Sequence, residues 1–459
     1  MKAWFFPRGL ANPVTEFKTV GSLRVEVPQV TAALAGGIAE RLAGAQKVLL
    51  EMKTETLLRG MEEVLAEWAA GSSDERKAAQ EAFCAAAGTS PATSPFGPLL
   101  ESVGGTALRE WVKAEVNPYE ALDGFVKVKG GGMQRAMGPE LCVHVLSGNV
   151  PLIWLPAFLA CVLMRSPCLL KPAARDPVTP ALFVQSLAAR IPALLETVAV
   201  LPWEGGADAV ERAVFGAAQA VIAYGSGPSI AGVRRNLGAE TAFLAHGPRA
   251  AAGVISREAA GPGKLEQLAS LAARDALLYD QRGCLSLSAL FVEEGGLYEP
   301  QEAAAELAKA MEKASAALPA GQLPAGTAAM TQAWRGRIRA RALAGGNTAL
   351  FASRGGLDWT VIYDEKMPPC AQDLARTVWV SPLRRLDDVP DRIRAWGKRV
   401  HAVCFAGPAE KGIALAEMLA PGGLERFVDF GRLQAPGLAW PHGGGSPFRS
   451  LLRMTRVGD

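Results

Sequence analysis

The chain has 459 residues, of which 49% are hydrophobic and 20% are charged, and this composition excludes a disordered or fibrous protein. Its 48 lysines and arginines nearly balance 45 aspartates and glutamates, so the formal charge of +3 does not indicate a nucleic-acid-binding protein. At roughly 150 residues per domain, this length predicts about three structural units.

The N-terminal third predicts strands, then helices, then a hairpin. The segment VGSLRVEVP within residues 1–30 alternates apolar and polar residues, and residues 30–68 have helical apolar spacing. A proline-rich loop at 88–98 precedes a second helical stretch. The triple glycine within 123–140 predicts a hairpin, which we expect to be an oligomerisation arm of a homo-oligomer. No export signal is recognised at the N-terminus, so we expect a cytoplasmic location.

The segment 143–164 has no charged residue and is long enough to cross a bilayer. It contains Ser147–Asn149 and two prolines, which divide it into a shorter strand and a helix. We therefore predict a buried strand–helix unit and no membrane insertion.

From Leu141 onward, nearly apolar strands alternate with helices, which predicts a parallel sheet covered on both faces. Ligands of such sheets bind at the carboxyl ends of the strands. The loops Ser147–Asn149, Lys171–Arg175 and Gly225–Gly227 each follow a predicted strand, so we expect them to converge on one edge of the sheet.

A second α/β unit is predicted from about Leu265. Its long helix, EQLASLAARDALLYDQ, ends just before Cys284, and further strands and a helix at 389–396 follow. Residues 317–327 are predicted as a surface loop. We expect a helical lead-in and nucleotide-binding domain at 1–250, a catalytic domain at 251–430 and a loop-like tail at 431–459.

Cysteine and histidine spacing indicates neither a disulfide framework nor a metal site. The seven cysteines are odd in number and form no CxxC pair, and no HExxH motif is present. We therefore expect no metal. Four cysteines lie within apolar runs and are interpreted as core residues: Cys142, Cys161, Cys168 and Cys404.

Cys284 is the candidate nucleophile, because a glycine before it permits close approach of a substrate and nearby backbone N–H groups can stabilise a thiolate. A small buried filler is the alternative. Asn149, at a strand end, has a side-chain amide that can donate to an oxyanion, or it is a helix N-cap.

Three further positions are candidate cofactor-binding residues. Lys171 ends a strand and can contact a nucleotide ribose or phosphate, or it is a solvated strand-end lysine. Gly225 and Ser226 open a helix whose N-terminal N–H groups favour phosphate, although glycine–serine turns are common. No GxGxxG motif lies between a strand and a helix, so the ordinary dinucleotide fingerprint is missing.

The segment GPELCVHVLSGNVPLIWLPAFLACVLMRSPCLLKPAARDPVTP resembles the first part of the nucleotide domain in the aldehyde dehydrogenase superfamily. AVIAYGSG, AHGPR, YDQRGCLS and TVWVSPL follow in the order typical of that superfamily. YDQRGCLS and the tail QAPGLAWPHGGGSP resemble the LuxC-like acyl-CoA reductases most specifically. The resemblance implies an α/β, aldehyde dehydrogenase-like fold with a parallel-sheet nucleotide-binding domain and a second α/β catalytic domain.

The resemblance also implies roles for single residues. Cys284 corresponds to the thiolate nucleophile, and Asn149 to the asparagine that forms an oxyanion hole with the nucleophile's N–H. Lys171 corresponds to the lysine on the adenosine ribose. Gly225 and Ser226 correspond to the turn that packs on the pyrophosphate.

Two departures from the superfamily pattern bear on the reaction. Hydrolytic members carry a water-activating glutamate where this chain reads FLAHGP at 243–248, which has no carboxylate; His246 is the alternative base there. Members that prefer NAD have a glutamate three positions after the lysine, where this chain has Ala174 followed by Arg175. The loss of an anion and the gain of a cation favour NADPH over NADH.

We therefore expect reduction of an acyl-CoA, or another acyl thioester such as a long-chain fatty acyl group, to the aldehyde through an acyl-cysteine. The alternatives are an NAD-dependent aldehyde dehydrogenase that forms free acid, and a non-catalytic nucleotide-binding subunit of an acyl-transfer complex. An acyltransferase or a synthetase is the expected type of protein partner.

Overall fold

The computed structural model describes residues 1–259, 263–366, 374–397 and 399–458. These residues form two compact units rather than the expected three. Unit 1 comprises 1–88, 96–247 and 437–459, and unit 2 comprises 89–95 and 248–436. The segment 437–459, expected to be part of a separate tail, packs within unit 1, and the loop segment 89–95 packs within unit 2.

The strands, in chain order, are β1 (Thr15–Val20), β2 (Leu23–Pro28), β3 (Val126–Lys127), β4 (Met133–Met137), β5 (Cys142–Val145), β6 (Cys168–Lys171), β7 (Val198–Val200), β8 (Ala220–Tyr224), β9 (Ala242–His246), β10 (Ala250–Ile255), β11 (Leu287–Glu293), β12 (Thr348–Ala352), β13 (Thr360–Asp364), β14 (Thr377–Leu383), β15 (Val400–Ala406), β16 (Arg426–Val428) and β17 (Arg453–Val457).

The α-helices are α1 (Ala32–Ala43), α2 (Gln46–Leu50), α3 (Thr54–Ala70), α4 (Asp74–Ala87), α5 (Gly97–Val103), α6 (Ala107–Glu115), α7 (Leu155–Leu163), α8 (Thr179–Arg190), α9 (Leu194–Thr197), α10 (Asp208–Gly216), α11 (Gly227–Arg235), α12 (Lys264–Leu277), α13 (Pro300–Ala317), α14 (Ala325–Leu343), α15 (Val389–Trp396), α16 (Ala409–Leu419) and α17 (Pro447–Leu451).

Unit 1 is built on a parallel five-stranded sheet in the order β7-β6-β5-β8-β9. Its central strands consist almost entirely of buried residues, as both faces of a parallel sheet are covered by helices. The strand order reverses between β6 and β8 on either side of β5, which places a ligand crevice at the carboxyl ends of these strands. The predicted parallel sheet is confirmed.

The uncharged segment 143–164 folds as predicted into a strand and a helix. It contributes most of β5 and all of α7, and the helix is entirely buried except for one proline. Among the residues that the structure describes, no helix combines the length and apolar character needed to cross a bilayer.

The glycine-rich segment 123–140 forms the predicted hairpin, in which β3 pairs antiparallel with β4. The structure adds a third strand, because β17 from the end of the chain pairs with the other edge of β4. This small sheet exposes the side chains of Met133, Met454 and Val457. Its role as an oligomerisation arm stays a prediction.

Unit 2 contains a seven-stranded sheet in the order β12-β13-β14-β11-β10-β15-β16. All neighbouring strands are parallel except the β12–β13 pair. The helix predicted at 389–396 matches α15, and the predicted surface loop at 317–327 ends where α14 begins at Ala325.

Helix α14 is absent from the sequence prediction for a physical reason. Its buried positions are only Thr331, Arg335 and Ile338, so an apolar stripe of helical period does not exist. Buried hydrogen bonds attach the helix instead: the Arg335 guanidinium donates to the Trp359 carbonyl at 2.7 Å and to the Thr360 hydroxyl at 3.0 Å.

Candidate functional site

In unit 1, Lys171 lies at the carboxyl end of β6 and borders a cavity of about 710 Å³. Its ammonium group lies 5.6 Å from the centre of the Trp203 ring, and burial lowers the pKa of the side chain. The lysine is therefore partly withdrawn from water and not a solvated strand-end residue. Charged side chains of Glu16, Lys18 and Glu204 also line the cavity.

Ala174 lines the same cavity and is exposed, whereas Arg175 does not line it. The Arg175 guanidinium donates a hydrogen bond to the Ala87 carbonyl at 3.0 Å, and both residues belong to unit 1. One guanidinium nitrogen is thus engaged with the end of α4, and the contact of Arg175 with a ribose phosphate stays a prediction.

Asn149 follows β5 and is exposed, and it does not cap a helix, because α7 begins only at Leu155. The structure thus removes the N-cap alternative. The loop around it is fixed by close packing: a side chain at Gly148 would place its Cβ 2.9 Å from the Arg175 Cβ and 3.1 Å from the Asp176 nitrogen. Only glycine fits there.

Gly225 and Ser226 connect β8 to α11, as predicted. Ser226 is the N-cap of this helix, and its hydroxyl accepts a hydrogen bond from the Ser229 N–H at 3.3 Å. The Gly225 N–H donates to the His246 carbonyl at 3.2 Å. The turn is therefore formed, and its contact with a pyrophosphate stays a prediction.

His246, at the end of β9, belongs to a stack of four aromatic rings within unit 1. Its ring centre lies 4.5 Å from that of Tyr224 on one side and 4.2 Å from that of His442 on the other. Trp440 continues the stack at 4.3 Å from His442. The PHGGG segment of the tail is thus held beside the position where hydrolytic relatives carry their glutamate.

In unit 2, Cys284 follows a turn in which three successive non-glycine residues have left-handed backbone angles. The φ angle is 56° at Tyr279, 53° at Asp280 and 59° at Gln281. This conformation costs roughly 1–2 kcal/mol per residue and persists only where surrounding contacts impose it.

Buried hydrogen bonds impose this conformation. The Asp280 carboxylate pairs with the Arg376 guanidinium at 2.9 Å, and the side chains are 2% and 0% exposed. The Gln281 side-chain amide donates to the Leu287 and Thr377 carbonyls and accepts from the Thr377 N–H. The turn is thereby joined to β11 and β14, which explains why YDQRGC is a specific motif.

The Cys284 thiol experiences opposing electrostatic effects. Its pKa is raised to about 12, mainly because burial disfavours the thiolate and secondarily because of the negative charge of Glu425. Arg249 and the backbone N–H groups of Cys284 and Leu285 act in the opposite direction. The raised pKa favours the protonated thiol at neutral pH, and the N–H groups of Cys284 and Leu285 are placed to stabilise negative charge on its sulfur.

A buried group of ionisable side chains, missed by the sequence analysis, contacts the Cys284 backbone: His401, Glu425 and Arg249. His401, fully buried on β15, has Nε2 at 2.9 Å from the Cys284 carbonyl oxygen and Nδ1 at 3.0 Å from a Glu425 carboxylate oxygen. The other Glu425 oxygen pairs with Arg249. A histidine in the otherwise apolar strand VHAVCFA was the available signal, but its partners come from separate segments.

The cysteines interpreted as core residues are all buried. Sγ of Cys142, a ring nitrogen of His144 and Sγ of Cys161 lie within 4.8 Å of one another. Burial raises the pKa of Cys142 well above its ordinary range, whereas hydrogen bonds with Cys142 and Cys168 and the neighbouring His144 lower that of Cys161. Because a metal requires thiolates, the two thiols differ in their suitability as ligands. The absence of a metal stays a prediction. Of the seven cysteines in the sequence, Cys370 lies outside the described residues.

Comparisons with known proteins agree on one family. A family profile described as "Acyl-CoA reductase (LuxC)" matches residues 49–455. The long-chain acyl-protein thioester reductase of Vibrio harveyi is 24% identical over 352 residues, which cover 76% of this chain and 70% of that protein.

Solved structures agree on the fold. Aldehyde dehydrogenase 21 from Physcomitrella patens aligns with a TM-score of 0.72 and 14% identity, over 100% of this chain and 98% of that chain. Indole-3-acetaldehyde dehydrogenase AldA from P. syringae, in complex with NAD+ and IAA, aligns with a TM-score of 0.69 and 14% identity, over 99% and 96%. The fold is aldehyde dehydrogenase-like, as predicted.

We expect Arg376→Leu to lower the free energy of unfolding by about 3–5 kcal/mol, because the Asp280 carboxylate would stay buried without its charged partner. Denaturant unfolding measures this change. Arg385→Leu is the matched control, since its ion pair with Asp387 is 71% and 55% exposed and its loss should cost less than about 1 kcal/mol. Equal losses in the two variants would contradict the assigned role of the buried pair.

Proposed function

The chain belongs to the acyl-CoA reductase (LuxC) family, and on that premise we propose that it reduces an acyl thioester to an aldehyde through an acyl group on Cys284. The observation that carries this proposal is the placement of Cys284. It follows a strained turn held by buried contacts, and the N–H groups of Cys284 and Leu285 stabilise negative charge on its sulfur. A buried filler needs neither feature.

In the first step, the Cys284 sulfur attacks the thioester carbonyl carbon and a new C–S bond forms. The bond from this carbon to the donor's sulfur then breaks, and the departing thiolate takes up a proton equivalent to the one that Cys284 loses. The backbone donors stabilise the oxyanion of the tetrahedral species. Asn149 stays our proposed second donor on the strength of the family resemblance.

The cavity at the end of β6 suits a nicotinamide dinucleotide. It is large enough for an adenosine group, and it offers the Lys171 ammonium, the flat apolar ring of Trp203 and the small side chain of Ala174. When bound, the coenzyme supplies a hydride equivalent for the acyl carbon. The resulting thiohemiacetal on Cys284 releases aldehyde as its C–S bond breaks, which regenerates the thiol.

The ring stack around His246 supports reduction over hydrolysis. No carboxylate is present at 243–248, and His246 lies between the rings of Tyr224 and His442. A histidine with both ring faces covered is poorly suited to swing toward a water molecule. An acyl-cysteine that water attacks slowly persists long enough to be reduced.

The acyl donor is proposed as a thioester, of which acyl-CoA is our first choice. The curated relatives are named acyl-protein thioester reductases, so a protein-bound acyl group is the other donor to test. Either donor leaves the same acyl-cysteine. An acyltransferase or synthetase that supplies the acyl group stays the proposed partner, and a homo-oligomer the proposed assembly.

We expect Cys284→Ala to lower acyl thioester reduction by about 10³-fold or more, because the variant cannot form the acyl-enzyme. Incubation with acyl-CoA without coenzyme should leave an acyl group on the tryptic peptide that begins at Gly283, detected by mass spectrometry. Cys84→Ala is the control and should keep both activity and label. Turnover in Cys284→Ala would contradict the assignment, and repeating the labelling with an acylated protein separates the two donors.

In the reverse direction, the enzyme given an aldehyde and oxidised coenzyme should form little free acid, because no carboxylate activates water. Addition of CoA should restore oxidation and yield acyl-CoA, which chromatography quantifies. We expect His246→Gln to leave the slow hydrolysis unchanged. Rapid acid formation without CoA would favour an aldehyde dehydrogenase, and its loss in His246→Gln would identify His246 as the base.

We propose NADPH as the preferred coenzyme, since Ala174 stands where the resemblance implies an acidic residue and Lys18, paired with Glu16 at 3.0 Å, lines the cavity. A charge-assisted contact with a phosphate contributes roughly 1.5–3 kcal/mol, and less on an exposed side chain. Lys18→Ala should therefore raise the KM for NADPH about five- to tenfold and change that for NADH less than about twofold. Arg175→Ala is the matched comparison: about a twofold effect or less is expected if its guanidinium stays on the Ala87 carbonyl, and a larger loss for NADPH would support its predicted contact with the phosphate. A wild-type preference for NADH, or equal losses for both coenzymes, would refute this proposal.

A further inference from the structure

We propose that His401 is a positioning residue that acts on Cys284 through the Cys284–Leu285 peptide group. This inference rests on the proposed role of Cys284 as nucleophile. It assigns a function to a histidine that does not itself reach the reacting sulfur, and to the two charged residues that support it.

The hydrogen-bond partners of His401 fix the orientation of its ring. A carbonyl oxygen only accepts hydrogen bonds, so Nε2 donates to the Cys284 carbonyl at 2.9 Å. Nδ1 lies 3.0 Å from a Glu425 carboxylate oxygen, and this second contact holds the ring in the position that the first one needs.

Buried neighbours hold the His401 ring in place. One oxygen of Glu425 contacts Nδ1 and the other pairs with Arg249; the side chains of Glu425 and Arg249 are 5% and 6% exposed. The Glu425 N–H also donates to the His401 carbonyl at 2.7 Å, which fixes the two residues relative to each other.

The peptide group transmits the effect of the His401 hydrogen bond to the sulfur. The carbonyl of Cys284 and the N–H of Leu285 belong to one planar unit and point in opposite directions. His401 donates to the carbonyl, and the Leu285 N–H stabilises the thiolate on the other side. A donor on the carbonyl polarises the peptide and strengthens its N–H as a donor.

This arrangement predicts that loss of His401 makes the thiolate harder to form. The charged groups bearing on the thiol from neighbouring segments of unit 2 are Glu425 before β16 and Arg249 before β10. His401 on β15 contacts Glu425 and the Cys284 carbonyl instead. Loss of its hydrogen bond to the carbonyl weakens the Leu285 N–H as a donor. The rate of reaction of Cys284 at a given pH should therefore fall.

The test is alkylation of the full-length protein by iodoacetamide across a pH series, read by mass spectrometry on the tryptic peptide that begins at Gly283. We expect His401→Leu to lower the alkylation rate at pH 8 about tenfold and to move the profile upward by about one pH unit. His401→Gln retains a side-chain donor for the Cys284 carbonyl, and should give a smaller shift of the same sign.

Thermal unfolding identifies which variants are folded. If His401→Leu does not fold, the pH profile of alkylation in a folded His401→Gln decides the outcome. A profile identical to wild type in a folded variant would overturn the proposal. Alkylation needs neither acyl thioester nor coenzyme, so its result stands apart from the proposed function. Failure of the wild-type protein to reduce any acyl thioester would refute that function without altering the profiles.

Discussion

The buried ion pair between Asp280 and Arg376 is the interaction on which the position of Cys284 depends. The backbone from Tyr279 to Gln281 has a conformation that L-residues rarely adopt, and it is not stable by local preference. The ion pair and the Gln281 amide bonds offset that cost by satisfying buried polar groups. The turn sets the direction of the chain that follows it. Cys284 is therefore oriented by contacts made several residues before it.

The electrostatic surroundings of Cys284 keep its thiol protonated while placing hydrogen-bond donors next to the sulfur. Burial keeps its pKa near 12, which limits side reactions with oxidants and stray electrophiles. The N–H groups of Cys284 and Leu285 become most effective when negative charge develops on sulfur or on a substrate oxygen. With a pKa near 12 almost none of the thiol is ionised at neutral pH, so any acyl transfer through this sulfur would require loss of its proton during the attack.

Aromatic rings occupy the ends of β8 and β9 in unit 1. The resemblance to the aldehyde dehydrogenase superfamily implies a water-activating carboxylate in this part of hydrolytic members, whereas residues 243–248 of this chain contain none. Trp440 and His442 belong to the last segment of the chain, which explains why a glycine-rich tail carries a specific family resemblance. Within unit 1, the tail packs against His246 through the ring of His442.

The sequence by itself determined the elements whose pattern is local. The strand β6 and the helix α15 were predicted closely, because apolar periodicity and flanking turns lie within each segment. The candidate nucleophile could also be predicted, since the glycine and the family motif are contiguous with Cys284. The helix α14 could not, because its attachment to the fold is through a buried arginine.

Only the tertiary structure decided which partners the charged and polar side chains contact. Arg175 is next to Ala174 in sequence, yet its guanidinium contacts Ala87, some ninety residues earlier along the chain. His401, Glu425 and Arg249 are far apart in sequence, and the pairing of β10, β15 and β16 brings them together. Periodicity reports which face of an element is buried, whereas the direction and partner of a long polar side chain depend on what the fold places within its reach.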